Sequence, residues 1–133
     1  YESKMLGADC ILLILSMIDI NMAKDLEAEA MDIGLDVLIE THNKEEMDNA
    51  MTMKSELVGI NNRNLNDFTV DIDNTISLTG DSVGDKIYVS ESGIKSRSDI
   101  DYIIDKSPAR TFLVGESLMR SEKLEEQIRT LLS

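Results

Sequence analysis

The 133-residue sequence predicts an α/β fold in which parallel strands alternate with helices, and three observations carry that expectation. Five short runs rich in β-branched and large apolar residues recur along the chain, and stretches with a helical apolar period separate them. Residues with helix-capping chemistry stand where the helices should begin. The runs are apolar on successive residues instead of alternating, which is the pattern of strands covered on both faces and typical of parallel sheets. Right-handed crossovers through the helices would lay such strands side by side. The frame fits either a doubly wound sheet or part of a barrel.

The chain opens at Tyr1 inside a helical pattern, with Tyr1, Met5 and Leu6 on one face and Gly7 able to supply a left-handed terminating residue. The first strand is CILLIL (10–15). Asp19 is placed to cap a helix whose Met22, Leu26, Ala30 and Ile33 share a face, and Gly34 closes it. The second strand is VLIE (37–40). Asn43 and Glu46 then resemble a capping box ahead of Met47, Ala50 and Met51. The third strand, LVGI (57–60), precedes a weaker helical turn over 72–78 that Gly80 ends. IYVS (87–90) is the fourth strand, and Ser96 with Asp99 forms a second box ahead of Ile100, Ile103 and Ile104. TFLV (111–114) is the fifth, and the last helix places Leu124, Ile128, Leu131 and Leu132 on one side. No Pro/Ser-rich linker interrupts the pattern, so residues 1–133 read as a single domain large enough for a core.

Composition narrows the function classes. Thirteen Lys+Arg against 26 Asp+Glu give a net charge of −13, which repels nucleic acid and anionic membrane, so any anionic ligand has to be held locally. A hydrophobic content of 42% is too high for a disordered chain, and the run at 10–15 is far too short to span a bilayer, so a soluble globular protein is expected. The single Cys10 has no partner for a disulfide and no leader-like segment opens the chain, which predicts a cytoplasmic protein. Cys10 lacks ligands at metal spacing and is expected to be a core thiol. The lone His42 is discounted as a metal ligand or base, and the eight Met residues read as core filler.

In both kinds of parallel α/β fold, ligands sit at the carboxyl ends of the strands, where loops can aim side chains and amides at one spot. Four of the five runs end there in groups with chemistry: Glu40; Asn61, Asn62 and Arg63; Glu91, Ser92 and Gly93; Gly115 and Glu116. The first run offers only apolar residues such as Leu12. Taken singly, Glu40 could be a solvated loop residue, Asn61 and Asn62 turn formers, and Arg63 one of many surface ion pairs. Their coincidence of position argues otherwise. The two glycine turns are sharper, because free amides after a strand and ahead of a helix make an anion site that needs no lysine. In barrels, the loops after the last two strands often form a phosphate site.

GADCILLI, GLDVLIETH, LVGINNRNL, VSESGI and FLVGESLMR, in this order and at these separations, resemble the carboxyl-terminal part of the indole-3-glycerol phosphate synthase family. The resemblance implies a partial (βα)8 TIM barrel holding strands four to eight and the tail of the third helix. It implies ring closure with loss of carbon dioxide and water from 1-(2-carboxyphenylamino)-1-deoxyribulose 5-phosphate, without metal or organic cofactor, as part of tryptophan biosynthesis. Glu40 then matches the catalytic glutamate and Asn61 the substrate-contacting asparagine. Arg63 and Glu91 join the substrate site, and Leu12 lines the pocket for the aromatic ring. Ser92 and Gly93, with Gly115 and Glu116, match the phosphate cradle. An acidic Glu116 beside a phosphate is repulsive unless the side chain turns away while its amide donates.

The family's general-acid lysine on strand three, and the glutamate and lysine of strand one, have no counterpart in these residues. A closed barrel typically takes about 250 residues, so the chain is expected to be a truncated piece without appreciable activity alone. An open half-sheet exposes edges and apolar faces, which predicts a homo-oligomer of facing half barrels. The partners expected are a phosphorylated small molecule and a second copy, with no nucleic acid and no membrane. A non-catalytic phosphate-binding half barrel and another phosphosugar enzyme of the tryptophan or histidine pathways are the rival readings.

Overall fold

The computed structural model describes residues 1–80 and 85–133. Five strands form one parallel sheet: β1 (Cys10–Ile14), β2 (Asp36–Thr41), β3 (Leu57–Asn61), β4 (Ile87–Glu91) and β5 (Thr111–Leu113). Their spatial order is the chain order, β1-β2-β3-β4-β5, so every crossover steps the same way. A doubly wound sheet needs a reversal of that order. Its absence favours the barrel alternative, and right-handed crossovers in one direction put all the helices on one face.

The helices are α1 (Glu2–Met5), α2 (Ile20–Asp32), α3 (Lys44–Met51), α4 (Asp73–Thr79), α5 (Arg97–Lys106), α6 (Glu116–Met119) and α7 (Leu124–Leu132), with a 3-10 turn at Leu15–Met17. Their starts follow the cap chemistry. Asp19 accepts from the amides of Asn21 and Met22, and Asn43 accepts from Glu46 N. Ser96 and Asp99 make a reciprocal capping box. Gly34 and Gly7 adopt the left-handed backbone expected after α2 and α1. No helix among the described residues is long and apolar enough to cross a membrane.

The core lies between the sheet and this helix layer. Val37 and Ile39 of β2, Val58 and Ile60 of β3, and Tyr88 of β4 meet Ala23, Ala30, Met47, Ala50 and Ile103 from the helices. Ile39, Met47, Ile60 and Ile103 are completely buried, each contributing about 1.5–3 kcal/mol. Glu27 is also buried there, its carboxylate accepting Ser55 N at 2.7 Å and Lys54 N at 3.1 Å, which staples α2 to the turn before β3.

The opposite face corrects several expectations. Its residues are apolar too, yet Leu12, Ile87 and Leu113 are each about half exposed (48%, 45% and 50%), so the strands are covered on one face only. Cys10, expected in the core, is exposed, because it opens the edge strand β1 on that uncovered face. Met22 and Leu26 are also largely exposed: α2 settles on the small residues Ala23 and Ala30, which let its axis approach the sheet and leave the larger side chains at its flank. In α7 only Leu131 is buried, and in α1 the predicted apolar face is open. Met47 and Met53 fill core as predicted, whereas Met5, Met17 and Met119 do not.

Candidate functional site

The register brings the predicted side chains together at the carboxyl ends of the strands. Glu40 pairs with Gly59 across β2 and β3, and Asn61 pairs with Glu91, which pairs with Leu113. Because side chains alternate along a strand, Glu40, Asn61 and Glu91 all project from the uncovered face. Glu40 and Glu91 flank β3 at the position where it carries Gly59. A Cβ there would stand 2.0 Å from Glu91 Oε1 and 3.0 Å from its Cδ. The glycine is what lets the Glu91 carboxyl lie across β3 towards Glu40.

Both carboxyls are buried, at 6% and 4% exposure. Burial, the charge of Glu40 and the hydrogen bond between the two carboxyls together push Glu91 up from 4.5 to about 8. A buried carboxyl beside a second carboxylate resists ionising, so the two favour sharing one proton over ionising together. Asn61 Nδ2 donates to Glu40 Oε1 at 3.1 Å, and Asn61 Oδ1 accepts Arg63 N at 2.9 Å, so the amide is oriented from both ends. Among the described residues, two buried side-chain polar atoms lack a hydrogen-bond partner: Glu91 Oε1 and His42 Nε2. The latter is 3.1 Å from Glu40 Oε1 but off the line of a hydrogen bond. Both atoms lie beside the Glu40 carboxylate.

The two glycine loops follow β4 and β5. Ser92 and Gly93 follow β4 with two consecutive left-handed residues, φ +64° and +81°. A side chain at Gly93 would in addition meet Val70 Cγ1 at 2.5 Å. Gly115 differs: its φ of −123° is open to any residue, and a Cβ there would approach only Met119 Cε, at 3.9 Å. Nothing in the fold demands glycine at 115, and the space before it is free for a ligand. Ser117 Oγ donates to Ile94 O at 3.0 Å and ties the two loops together. The amides of Gly93, Ile94, Glu116 and Ser117 donate to no protein acceptor among the described residues. They surround a cavity of about 140 Å³ lined also by Arg63, Ser92, Leu113 and Gly115.

Glu116 turns its carboxylate to Arg63, across the mouth of that cavity, and to Arg120 Nη2 at 2.9 Å. Two guanidinium groups thus cover the acidic side chain, which removes the repulsion expected from it. Leu12 sits apart, on β1 beside Leu38, as part of the open apolar face.

Two residues to which the sequence reading gave no site role matter here. Asn62 is buried and joins three elements: its Nδ2 donates to Ser90 Oγ at 3.1 Å and Ser92 O at 3.0 Å, while its Oδ1 accepts Thr75 N and Thr75 Oγ1. It holds the Ser92 loop to the start of α4. His42 lies against Glu40. The sequence signal for His42 was its position two residues after Glu40, just past the end of β2, where strand alternation places the two side chains on the same face. No cluster of metal-binding side chains occurs among the described residues.

The sequence profile of the indole-3-glycerol phosphate synthase family matches residues 1–131. Relatives of that name include one from Polynucleobacter necessarius, 48% identical over 121 residues, covering 91% of this chain and 45% of the relative. Another, from Azospirillum brasilense, is 46% identical over 132 residues, covering 99% and 50%. The chain thus spans about half the length of these curated relatives. Among solved structures, thiamine phosphate pyrophosphorylase from Pyrococcus furiosus superposes with a TM-score of 0.72 at 17% identity, over 98% of this chain and 60% of that one, a likeness of fold alone.

Proposed function

Since this chain belongs to the indole-3-glycerol phosphate synthase family, we propose that its strand ends form the carboxyl-terminal half of a site that closes the indole ring of 1-(2-carboxyphenylamino)-1-deoxyribulose 5-phosphate in tryptophan biosynthesis. The observation that carries this reading is the buried Glu40–Glu91 pair across Gly59, one strand away from paired loops of free amides. A ring closure that expels water and carbon dioxide needs a group to give a proton and one to take it. Two carboxyls whose environment favours one shared proton supply both forms at neutral pH.

In this reading Glu40 is the catalytic carboxylate and Asn61 the amide beside it that contacts substrate. Glu91 and Arg63 contact the sugar phosphate, and Leu12 belongs to the apolar surface under the aromatic ring. The phosphate rests on the amides of Ser92, Gly93, Gly115 and Glu116, with Arg63 as its counter-charge. The reading assigns no cofactor and a cytoplasmic setting. The 133-residue chain alone lacks the lysine acid and is expected to show no turnover; indole fluorescence appearing at the rate of a full-length relative would refute that. The open face and unpaired edges of β1 and β5 favour self-association, which a stable monomer in light scattering at high concentration would contradict.

Titrating the chain with glycerol phosphate and with indole-3-glycerol phosphate, followed by amide resonances, tests the site itself. Both ligands should move Gly93 and Gly115–Ser117, and only the second should move Asn61. Unmoved loop amides with both ligands would sink the assignment.

A further inference from the structure

The register of β2 and β3 ends with the pair Thr41–Ile60, one residue past Glu40 and one short of Asn61. Beyond it the His42 amide leaves the sheet and donates to Glu46 Oε2 at 2.7 Å, so the ladder stops at the level where Asn61 reaches Glu40. Side chains take over from there. Thr41 Oγ1 donates to Gly59 O at 2.9 Å. Asn74, in the first turn of α4, donates from Nδ2 to Asn61 O at 3.0 Å and to His42 O at 3.3 Å. One of these carbonyls closes β3 and the other stands just past β2. A primary amide carries two N–H donors on one nitrogen, and carbonyls only accept, so the two partners fix which way the Asn74 amide faces.

Asn74 is itself held in place. Its backbone amide donates to Asp71 O at 3.1 Å, and the carboxylate of the preceding Asp73 accepts the Tyr102 hydroxyl of α5 at 2.9 Å. The following Thr75 is buried and bonded to Asn62 and to Ser90 of β4. Two consecutive side chains thus serve different parts of the strand-end cluster. Thr75 bears on the Ser92 loop through Asn62, and Asn74 bears on the edge that carries Glu40 and Asn61. Asn61 is fixed at three points: its carbonyl by Asn74, its Oδ1 by the Arg63 amide, and its Nδ2 on Glu40. Without the first, the side-chain contacts hang on a main chain that is no longer tied to β2.

We propose that Asn74 is a positioning residue, which holds the ends of β2 and β3 at the spacing at which the Asn61 amide meets Glu40. It acts through main-chain carbonyls alone, from a helix behind the strand ends. For its part in ligand binding the proposal rests on the reading of Asn61 as a substrate contact. Losing the tether frees the two strand ends to separate, while the Ser92 loop keeps its hold through Asn62. The consequence is local to one edge of the cluster.

The test is N74L, which matches the amide in size and has no N–H, in the ¹⁵N-labelled 133-residue chain. Hydrogen exchange of the Asn61 side-chain amide should speed up about three- to tenfold, the change expected when a hydrogen bond of ordinary strength is lost. Exchange of the Asn62 side-chain amide, bonded to Ser90 Oγ and Ser92 O, should stay at the wild-type rate. Affinity for indole-3-glycerol phosphate should fall by a similar factor, and affinity for inorganic phosphate should not change. If N74L does not fold, N74D, which keeps the shape and also lacks the N–H groups, decides by the same comparison. A residue with only a packing role would speed both side-chain amides together or neither, and either result overturns the proposal. Faster Asn61 exchange with unchanged affinity for indole-3-glycerol phosphate overturns it too. A wild-type chain in which that ligand leaves Asn61 unmoved refutes instead the reading of Asn61 as a substrate contact; the exchange rates then still decide whether Asn74 sets its meeting with Glu40.

Discussion

Replacing Glu91 by Gln removes a titrating carboxyl while keeping its size and most of its hydrogen-bonding capacity. In the folded chain burial, then the charge of Glu40, then the hydrogen bond between the two carboxyls raise Glu91 from 4.5 to about 8. The folded state therefore binds this proton more tightly than the unfolded state. Stability from it is fully present below the unfolded value and is lost as pH rises through the folded value. At about 1.4 kcal/mol per pH unit the interval sets a ceiling of roughly 5 kcal/mol, and because the pair titrates together about half of that is the figure to expect. Urea unfolding followed by circular dichroism, at about pH 5 and about pH 8.5 and constant ionic strength, measures it. Wild type should lose about 2–3 kcal/mol more than E91Q between the two conditions. The comparison with E91Q subtracts every other group that titrates in the window. Parallel stability profiles for the two proteins would refute the account of a proton held between Glu40 and Glu91.

Gly59→Ala should destabilise the chain by about 1–3 kcal/mol in thermal or urea unfolding, since its Cβ overlaps a buried carboxyl that has to move; a neutral effect would mean that Glu91 does not lie across β3. Asn62→Ala should cost about 2–4 kcal/mol by stranding Thr75, Ser90 and the Ser92 carbonyl, and should weaken binding of inorganic phosphate because the Ser92 loop loses its tether. Glu116→Gln should strengthen phosphate binding several-fold in calorimetry by freeing Arg63. The Arg63–Glu116 pair is partly exposed, an arrangement worth about 0–1 kcal/mol, so an anion can displace it easily. Unchanged or weaker affinity in Glu116→Gln would show that the carboxylate does not compete for Arg63.

Local rules were enough for much of this protein. Asp19, Asn43 and Ser96 cap the helices they precede, and five apolar runs become five parallel strands, because capping and strand propensity depend on neighbours a few residues away. The alignment of Glu40, Asn61, Glu91 and the two glycine loops at one edge was legible for the same reason: each sits just past a run whose end is visible in the chain. Family resemblance, carried by LVGINNRNL and VSESGI, supplied roles that spacing alone left open.

What local rules could not reach depends on register and on which faces meet. An apolar strand reads alike whether one or two faces are covered, so the exposure of Cys10, Leu12, Ile87 and Leu113 appears only when the helices are seen to occupy one side. The choice between a doubly wound sheet and a barrel lay in strand order, a property of crossovers and not of any segment. Glu40 and Glu91 are far apart in sequence, and neither predicts the other's proton; their meeting needs Gly59 on the strand between them. Likewise Asn62, His42 and the guanidinium partners of Glu116 acquire meaning from groups tens of residues away. The sequence by itself determined the elements and the edge at which chemistry gathers. Tertiary structure decided which carboxyls meet and which charges stand at the glycine loops, because electrostatics and burial act through space.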